Sequence, residues 1–310
     1  MITNHQTPSK DEITVIIPTL NEALAIGKVI DELKQKGFTK MLVVDGHSTD
    51  GTPEITRLKG VEVVAQDGKG KADAIKSVLQ LVDTKYLLVM DGDNTYDPND
   101  VENMIKIAED NDEVIVARIG GKKNIPLLNR LGNGFITGFF NLLFGTELKD
   151  VLSGMYLLKT DVGKDLWFEF RGFSLEVEMA AHVATTSRKI TNVNGNYRSR
   201  LGKAKLGKTQ GLTILRDIIS LALRYNPTFV ILAAGSFFIL PAVIILSYVV
   251  ISLLFLGVNH FVWAIMGVTV GGVGIISLLL SIMALYIKRM EYRMIERLNK
   301  FTNNNNHNGK

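Results

Sequence analysis

Two aspartates separated by one glycine give the sequence its sharpest chemical signal. Asp91-Gly92-Asp93 directly follows an apolar run, residues 86–90, that has the composition of a buried strand. Carboxylate oxygens on such a turn suit Mg²⁺ or Mn²⁺, hard cations that also bind a diphosphate. The cation would neutralise the charge that develops on a departing nucleoside diphosphate. Because Asp-Gly-Asp is also common in plain solvated turns, this segment alone leaves both interpretations open.

Three other polar segments stand at the ends of predicted strands or at the starts of predicted helices. PTLNE (residues 18–22) closes the first strand, and VVDG (43–46) closes the second, where Asp45 can accept hydrogen bonds from a base or a ribose. The Gly-rich basic loop DGKGKA (67–72) precedes a helix and suits the anionic groups of a nucleotide. Each segment alone is typical of ordinary turns, whereas their order on successive strands is a specific pattern.

The elements that must position these residues alternate between strands and helices. Apolar runs predict strands at residues 13–18, 41–44, 61–65, 86–90 and 114–117, and helical spacing covers residues 22–36, 71–82 and 98–109. This alternation predicts an α/β domain with a mainly parallel sheet covered on both faces. Ligands of such sheets bind at the carboxyl ends of the strands, where Pro18, Asp45 and Asp91 fall.

Two long apolar stretches dominate the C-terminal third. Residues 228–257 and 261–287 contain no Asp, Glu, Lys or Arg, and each exceeds the roughly 20 residues that span a bilayer. Their connection, residues 258–260, has no Lys or Arg, whereas both outer flanks are basic. The positive-inside rule therefore predicts a transmembrane hairpin with both flanks in the cytoplasm. A buried helix pair of a soluble protein is the alternative, which this length disfavours.

Two amphipathic segments precede the hairpin. The pattern of residues 127–144 favours a helix that either lies at a lipid surface or belongs to the core of the domain. Residues 212–225 continue directly into the first apolar stretch, and we interpret them as an interfacial helix.

The composition narrows the classes of partner. The net charge of +4 gives no argument for nucleic acid as a partner. The chain has no Cys, which excludes disulfides and thiolate metal sites. Its first twelve residues are polar, so no apolar signal-peptide core is evident there.

Seven segments together form a pattern more specific than single turns. They are VIIPTLNE, VVDGHSTDGT, DGKGKADAI and VMDGD, followed by DVLSGM, GFSLEVE and RLGKAKL. The pattern resembles the inverting family 2 glycosyltransferases of the GT-A fold, within the dolichyl-phosphate sugar synthase group, from residue 13 to about residue 206. DGHSTDGT and DGKGKA are similar to archaeal enzymes that load glucose or N-acetylglucosamine onto dolichyl phosphate in N-glycan assembly.

One position departs from the family pattern. The late segment of the family often has Ser before its final Lys-Leu, and Ala204 stands there in this chain. Any contact from that hydroxyl is lost, while Arg200 and Lys205 remain. The Gln-x-x-Arg-Trp motif of processive polysaccharide synthases is missing, because neither Trp167 nor Trp263 follows an Arg.

The resemblance implies a donor site, a metal site and an acceptor site. It places Mg²⁺ or Mn²⁺ and the diphosphate at Asp91 and Asp93, and the nucleoside near Asp45. The expected donor-binding residues are Pro18, Thr19, Asn21, Glu22, Asp45, Lys69, Gly70 and Asp91. The expected acceptor-phosphate residues are Arg118, Arg130, Arg198, Arg200, Lys203 and Lys205. Asp93, Arg200 and Lys205 are the expected catalytic residues, and the roles of Glu176 and Glu178 stay open.

The predicted activity is transfer of one sugar, from UDP-N-acetylglucosamine or UDP-glucose, to dolichyl phosphate at the cytoplasmic membrane face, with inversion. No general base is nominated, because the acceptor phosphate is already anionic near neutral pH. The alternatives are GDP-mannose or another donor with another polyprenyl phosphate, and a non-catalytic membrane scaffold that keeps the fold. A transporter is disfavoured because the two stretches carry no charge.

The predicted organisation has five parts. They are a polar tail (1–12), the GT-A domain (13–206), an amphipathic juxtamembrane helix (207–226), two transmembrane helices (227–287) and a basic, then Asn-rich tail (288–310). Composition predicts that the Asn-rich run at residues 303–306 is disordered. We expect a multi-pass cell-membrane protein with the catalytic domain and both termini in the cytoplasm. Nucleotide sugar, polyprenyl phosphate and membrane lipid are the expected partners, and the oligomeric state stays open.

Overall fold

The computed structural model describes residues 7–165, 175–186, 188–202, 216–220, 223 and 227–308. The chain divides into two compact units, Met1–Leu221 and Ala222–Lys310. The predicted interfacial helix at residues 212–225 lies mostly outside the described residues.

A seven-stranded sheet forms the centre of the first unit. Its strands are β1 Ile13–Thr19, β2 Met41–Asp45, β3 Glu62–Ala65, β4 Tyr86–Met90, β5 Glu113–Gly120, β6 Met155–Lys159 and β7 Ile190–Asn196. They lie in the order β3-β2-β1-β4-β6-β5-β7. All neighbours are parallel except β6, which runs antiparallel to both β4 and β5. The predicted α/β class with a mainly parallel sheet is confirmed.

Helices of 5 to 18 residues connect the strands. They are α1 Ile26–Gln35, α2 Thr52–Leu58, α3 Lys71–Leu79, α4 Val101–Ile105, α5 Leu127–Phe144, α6 Thr160–Lys164 and α7 Leu175–Thr185, with 3₁₀ turns at Lys10–Glu12, Pro98–Asp100 and Lys122–Asn124. In α1 the apolar residues recur at three- and four-residue spacing and are all buried against the sheet. Strands β2 and β4 are buried along their whole length, as expected for strands covered on both faces.

Helix α5 has the predicted bounds and belongs partly to the domain core. Ile136, Thr137, Phe140 and Leu143 are buried on one of its faces. Large apolar side chains on its other face are exposed. The core interpretation therefore accounts for one face of the helix only.

The second unit consists of two long helices, α8 (Pro227–Leu256) and α9 (Phe261–Asn308). Two segments, Ile231–Leu256 and Phe261–Ala284, are long and apolar enough to cross a membrane. The Asn-rich run at residues 303–306, predicted to be disordered, is helical, because α9 continues to Asn308. Extending an existing helix costs far less than starting one, so α9 can continue through residues of polar composition.

Small residues bring α8 and α9 close together. A Cβ added to Gly274 would lie 2.5 Å from Ile239 Cγ1, and one added to Gly267 would lie 2.8 Å from Leu246 Cδ2. Ile239 comes before Leu246 in α8, whereas its neighbour Gly274 comes after Gly267 in α9. The two helices therefore run antiparallel. Close packing at glycines is a usual way for apolar helices to associate in an environment where the hydrophobic effect does not drive association.

Glu113 is a buried carboxyl group at the start of β5. It is almost fully buried, and within the described part of the chain its Oε2 has no hydrogen-bond partner. Burial raises the pKa of its carboxyl group from 4.5 to about 8, and the charge of Glu176 adds to this shift. The folded protein therefore keeps Glu113 protonated at pH values at which the unfolded chain ionises it.

This difference predicts a pH dependence of stability. The contribution of neutral Glu113 is fully present below pH 4.5, declines as the pH rises, and is lost above about pH 8. In Glu113→Gln, which stays neutral, the melting temperature should fall less steeply between these pH values than in the unsubstituted protein. Thermal unfolding of the full chain in detergent, followed by circular dichroism across this range, measures the two slopes. Glu62→Gln, at an exposed position on β3, should keep the original slope; equal slopes for all three proteins would contradict the prediction.

Candidate active site

The carboxyl ends of the parallel strands bring the predicted site residues to one edge of the sheet. Thr19 at the end of β1 pairs with Asp45 at the end of β2, and Asp91 directly follows β4. Because β6 runs antiparallel, its first residue, Met155, pairs with Met90 at this same edge. We call this edge the carboxyl edge.

The loops after β1 and β2 are bound to each other by polar contacts. The Asn21 backbone N–H donates to Ser48 Oγ, and the Thr49 backbone N–H donates to Asn21 Oδ1, both at 2.8 Å. The Ala23 backbone N–H donates to the Asp50 carboxylate at 2.9 Å. Residues 22–25 form a turn in which the Ala25 and Ile26 backbone N–H groups donate to Glu22 O at 2.9 Å, so α1 begins at Ile26 and not at the predicted residue 22.

Among the residues that the structure describes, three other than glycine have a positive φ, and all three lie in loops at the carboxyl edge. They are Asn21 (φ 51°), His47 (φ 65°) and Asn94 (φ 65°), which follow β1, β2 and β4 respectively. Such backbone conformations are uncommon outside glycine and cluster at functional sites, where the surrounding structure holds them. Their distribution supports the carboxyl edge as the site of function.

Asp45 is buried and holds the turn after β2. Its carboxylate accepts a hydrogen bond from the Ser48 backbone N–H at 2.8 Å and from Thr19 Oγ1 at 3.4 Å. Pro18 pairs with Val44 in the neighbouring strand. The expected contact between Asp45 and a nucleoside stays a prediction.

The Asp93 carboxylate is hydrogen-bonded to Thr95 through one oxygen and ion-paired with Arg200 through the other. One carboxylate oxygen accepts hydrogen bonds from the backbone N–H and the hydroxyl group of Thr95, at 3.0 and 2.5 Å. The other lies 2.8 Å from Arg200 Nη1, and Arg200 Nη2 lies 2.5 Å from Glu22 Oε1. Burial raises the pKa of Asp93, and the charge of Asp91 raises it further. The two aspartates are thus close enough to repel each other.

Backbone contacts explain how Arg200 reaches Asp93. The chain after β7 runs beside the loop after β4, where the Arg198 backbone N–H donates to Thr95 O at 2.7 Å and that of Leu201 donates to Asp93 O at 3.2 Å. Buried Arg200 Nε has no hydrogen-bond partner within the part of the chain that the structure describes.

Lys71 provides the cation for Asp91. Its Nζ lies 2.6 Å from Asp91 Oδ1 and 2.7 Å from Glu176 Oε1. Burial alone would lower the pKa of Lys71, but the charges of Asp91 and Glu176 outweigh burial and raise the pKa well above its ordinary value. Lys71 therefore stays positively charged between two carboxylates.

Gly154 leaves the space that the Asp91 carboxylate occupies. A Cβ added to Gly154 would overlap Asp91 Oδ2. The Gly154 backbone N–H donates to the hydroxyl group of buried Tyr96 at 2.6 Å, which fixes the position of this backbone. Only a residue without a side chain fits there without moving Asp91.

The arginines predicted for the acceptor phosphate have different surroundings. Arg118 forms two hydrogen bonds with Asp150, at 2.6 and 2.8 Å, and its guanidinium lies over the Tyr197 ring. Arg198 lies 2.6 Å from Glu32 and 2.8 Å from Asp97. Arg130 is half-buried on α5, and Lys203 and Lys205 lie outside the described residues. We call Asp91 and Asp93 the acidic pair. Of the described arginines predicted for the acceptor, Arg200 is the one that contacts this pair, through Asp93.

The remaining predicted donor residues lie in the Gly-rich loop before α3. Lys69 and Gly70 are exposed, and the Lys69 backbone N–H donates to Asp73 at 2.8 Å. Gly68 and Gly70 both have a positive φ, so this sharp turn requires glycine.

Sequence reasoning missed the contribution of Lys71 and left Glu176 without a role. Lys71 belongs to the Gly-rich loop segment, and Glu176 to the GFSLEVE segment, so both stood within recognised patterns. Their pairing across 105 residues had no signal in the sequence. Glu178 is fully buried in α7.

The acidic pair fits a divalent cation that takes its other ligands from a substrate. Within the described residues, no group of three or more His, Asp or Glu side chains could hold a metal by itself. The mutual repulsion of Asp91 and Asp93 favours a cation between them. Diphosphate oxygens and water supply the further oxygen ligands that Mg²⁺ usually keeps.

Comparison with known proteins gives consistent matches. A family model described as Glycosyl transferase family 2 matches residues 14–167. Glycosyltransferase AglJ of Haloferax volcanii is 35% identical over 197 residues, which cover 62% of this chain but only 65% of that protein. Dolichyl-phosphate hexose transferase of the same organism is 30% identical over 219 residues, 69% of this chain and 95% of that protein. The UDP-N-acetylglucosamine–dolichyl-phosphate N-acetylglucosaminyltransferase of Methanococcus voltae is 24% identical over 205 residues, 57% of this chain and 81% of that protein.

Solved structures share the fold of the first unit. Glucosyl-3-phosphoglycerate synthase of Mycobacterium tuberculosis, in complex with Mn²⁺, uridine-diphosphate-glucose and phosphoglyceric acid, superimposes with a TM-score of 0.56 at 22% identity, covering 69% of this chain and 79% of that chain. A second complex of that enzyme contains Mg²⁺ and uridine-diphosphate, with a TM-score of 0.56, 22% identity, and coverage of 69% and 78%. The predicted GT-A fold is confirmed.

The contact between Gly154 and Asp91 predicts the effect of one added methyl group. Gly154→Ala should displace the Asp91 carboxylate and weaken Mn²⁺ binding in the presence of uridine diphosphate by about tenfold or more, since overpacking costs about 1–3 kcal/mol. Titration of free Mn²⁺ by electron paramagnetic resonance measures this affinity. Gly272→Ala, where an added Cβ meets nothing within 4 Å, is the matched control and should bind Mn²⁺ normally. Unchanged Mn²⁺ affinity in Gly154→Ala would contradict the assignment of Asp91 to the metal.

Proposed function

The chain belongs to glycosyl transferase family 2 and is a glycosyltransferase, and on this basis we propose that it transfers one sugar from a nucleotide sugar to a polyprenyl phosphate in a membrane. The observation that carries the proposal is the acidic pair, Asp91 and Asp93, which Lys71 and Arg200 balance at the carboxyl edge. Alternating acidic and basic groups of this kind suit a diphosphate together with a divalent cation.

The proposed donor is a UDP-sugar, with N-acetylglucosamine or glucose as the sugar. The nucleoside would lie over the carboxyl ends of β1 and β2 and the linked loops that follow them, near Thr19, Asn21, Glu22 and Asp45. Support comes from the neighbour of similar fold, which was solved with uridine-diphosphate-glucose, and from the relative that uses UDP-N-acetylglucosamine.

Asp91 and Asp93 would hold Mg²⁺ or Mn²⁺. When bound, the cation neutralises the negative charge that develops on the diphosphate as the sugar leaves. The protein's own contribution is orientation: Gly154 leaves room for Asp91, and Thr95 fixes one oxygen of Asp93. Groups held in place in this way need little reorganisation during the reaction.

Arg200 is the described basic residue best placed to meet a phosphate group. Two of its nitrogens contact Asp93 and Glu22, and Nε is a buried donor without a partner among the described residues. A buried donor without a hydrogen bond is costly, and a phosphate oxygen would satisfy it. We therefore keep Arg200 as a catalytic residue, with Lys203 and Lys205 as further acceptor contacts on the basis of sequence.

The proposed acceptor is dolichyl phosphate at the cytoplasmic membrane face. Support comes from relatives whose names include dolichyl phosphate and from the two helices that are long and apolar enough to span a membrane. The basic flanks of these helices favour a cytoplasmic location for both termini and for the catalytic unit. No general base is assigned, because the acceptor phosphate is already an anion near neutral pH, and inversion at the sugar is expected.

The reaction itself provides the test of the proposed function. Full-length protein in vesicles that contain dolichyl phosphate should convert one of a panel of radiolabelled nucleotide sugars into a lipid-linked product, and EDTA should stop the reaction. Asp93→Ala should lower the rate by about a thousandfold or more, because loss of a metal ligand removes several kcal/mol of transition-state stabilisation. Asp83→Ala, at a side chain that is 87% exposed, should keep full activity.

Two results would overturn these assignments. Failure of every donor to give a lipid-linked product, although the protein binds UDP, would argue for a non-catalytic scaffold. Full activity of Asp93→Ala, or full activity in excess EDTA, would contradict the metal assignment alone.

The contact between Lys71 and Glu176 predicts an effect on metal dependence. In Glu176→Gln, Lys71 loses one charged partner and interacts more strongly with Asp91, so it competes with the metal. The Mn²⁺ concentration for half-maximal activity should rise by about tenfold, and high Mn²⁺ should restore much of the rate.

Steady-state rates over a Mn²⁺ titration measure this effect, with Glu54→Gln at an exposed position of α2 as the control. A loss of rate that Mn²⁺ does not restore, together with a lower melting temperature, would mean that Glu176 supports only the fold.

A further inference from the structure

Both carboxylate oxygens of Asp91 face groups of the protein itself. Oδ1 lies 2.6 Å from Lys71 Nζ, and Oδ2 lies where a Cβ on Gly154 would be. Because Mg²⁺ lies about 2.0–2.1 Å from its oxygen ligands, a metal bound at Oδ1 would stand directly beside the ammonium group. Two positive charges at this distance repel each other. Binding of a divalent cation at Oδ1 therefore requires Lys71 to move away from Asp91.

Glu176 gives Lys71 a second carboxylate partner that does not belong to the acidic pair. Its Oε1 lies 2.7 Å from Lys71 Nζ, and its side chain is 9% exposed, against 33% for Asp91. An ammonium group has three N–H donors on a flexible stem, so it can shift while it keeps one partner. Lys71 can thus release Asp91 without becoming an unpaired buried charge, which would be strongly destabilising.

The position of Lys71 in its helix gives no other reason for a cation there. Lys71 is the first residue of α3, directly after the turn that contains Gly68 and Gly70. The start of a helix presents backbone N–H groups and favours anions over cations. The two carboxylates, and not the helix, therefore hold the ammonium group in place.

The site as a whole has an excess of negative charge. Four carboxylates contact two cations, which leaves a net charge of −2 when all are ionised. The members of this cluster are Asp91, Asp93, Glu22, Glu176, Lys71 and Arg200. A diphosphate alone would meet the negative charge, and a divalent cation alone would have to displace Lys71. When both bind together, Lys71 can move from Asp91 to a phosphate oxygen, so that every charge keeps a partner.

We propose that Lys71 exchanges its contact with Asp91 for a contact with the donor diphosphate, and that this exchange makes tight metal binding conditional on the nucleotide. The inference rests on the proposed function, because its two ligands are a nucleoside diphosphate and a divalent cation. Lys71 in this way neutralises Asp91 whenever no nucleotide is bound. Such coupling is reciprocal, since each ligand raises the affinity for the other by the same factor.

Removing the charge of Lys71 tests the exchange in the full-length protein in detergent. Electron paramagnetic resonance of free Mn²⁺ gives the metal affinity without nucleotide, and calorimetric titration of UDP in excess Mn²⁺ gives the nucleotide affinity. Lys71→Met should bind Mn²⁺ alone about tenfold more tightly, because no ammonium competes for Asp91, but should bind UDP about tenfold more weakly, because the diphosphate loses a cation. These two changes have opposite signs.

Two further variants control for effects on folding and on charge in general. Lys71→Gln keeps a hydrogen-bond donor without the charge, so it should show both changes with less loss of stability. Lys76→Met, at an exposed position of the same helix, is the matched control and should leave both affinities unchanged. Melting temperatures of all variants show whether the fold is kept.

The signs of the two changes decide the outcome. A fall in both affinities, in Lys71→Met and Lys71→Gln alike, would overturn the exchange and leave Lys71 a role in the shape of the site alone. Unchanged Mn²⁺ affinity without nucleotide would overturn it as well, because Lys71 would then not compete with the metal. In both cases UDP and Mn²⁺ still bind, so the proposed function stands. An unsubstituted protein that binds neither ligand would contradict the proposed function, and the exchange with it.

Discussion

The site depends on keeping two negative charges close together without losing the fold. Asp91 and Asp93 stand one residue apart after a buried strand, and the charge of one raises the pKa of the other. The protein balances them with one cation each, Lys71 for Asp91 and Arg200 for Asp93. Each cation also contacts a carboxylate from a distant part of the chain, so the balance of charge links several loops. Asp93 is buried, and an unpaired charge there would be strongly destabilising, so its ion pair with Arg200 belongs to the architecture as well as to the site.

Strands β1 to β5 were predicted from their apolar runs, whereas β6 and β7 were not. Strand β4 is a continuous apolar run, and such a run can be recognised as a buried strand without knowing which strands lie beside it. Strand β7, at the edge of the sheet, reads ITNVNGN and carries little apolar signal, so it was missed. Strand β6 is short and apolar, and periodicity cannot distinguish such a run from a buried helix segment. Its antiparallel direction matters most, because it brings Gly154 against Asp91, and direction is not encoded in composition.

Site residues were predictable by type, whereas their partners were not. The paired aspartates follow a strand as expected, and Arg200, predicted for the acceptor phosphate, lies beside Asp93 in the structure, while its role stays a prediction. Arg118 and Arg198 were predicted for the same acceptor phosphate as Arg200, yet the structure pairs them with Asp150, Glu32 and Asp97. Whether an arginine meets a carboxylate of its own chain depends on pairings across more than 100 residues in some cases, such as Glu32 with Arg198. Only the folded chain settles this.

Under the proposed function the acceptor is a lipid, which constrains where the acidic pair must lie. Each CH₂ group of a lipid that leaves the bilayer costs about 0.8 kcal/mol, so a long polyprenyl chain cannot be drawn into a distant soluble site. The enzyme must instead bring its site to the phosphate group. An apolar hairpin would confine the protein to the membrane, which raises the local concentration of enzyme and lipid, but a tether alone leaves the orientation of the domain free.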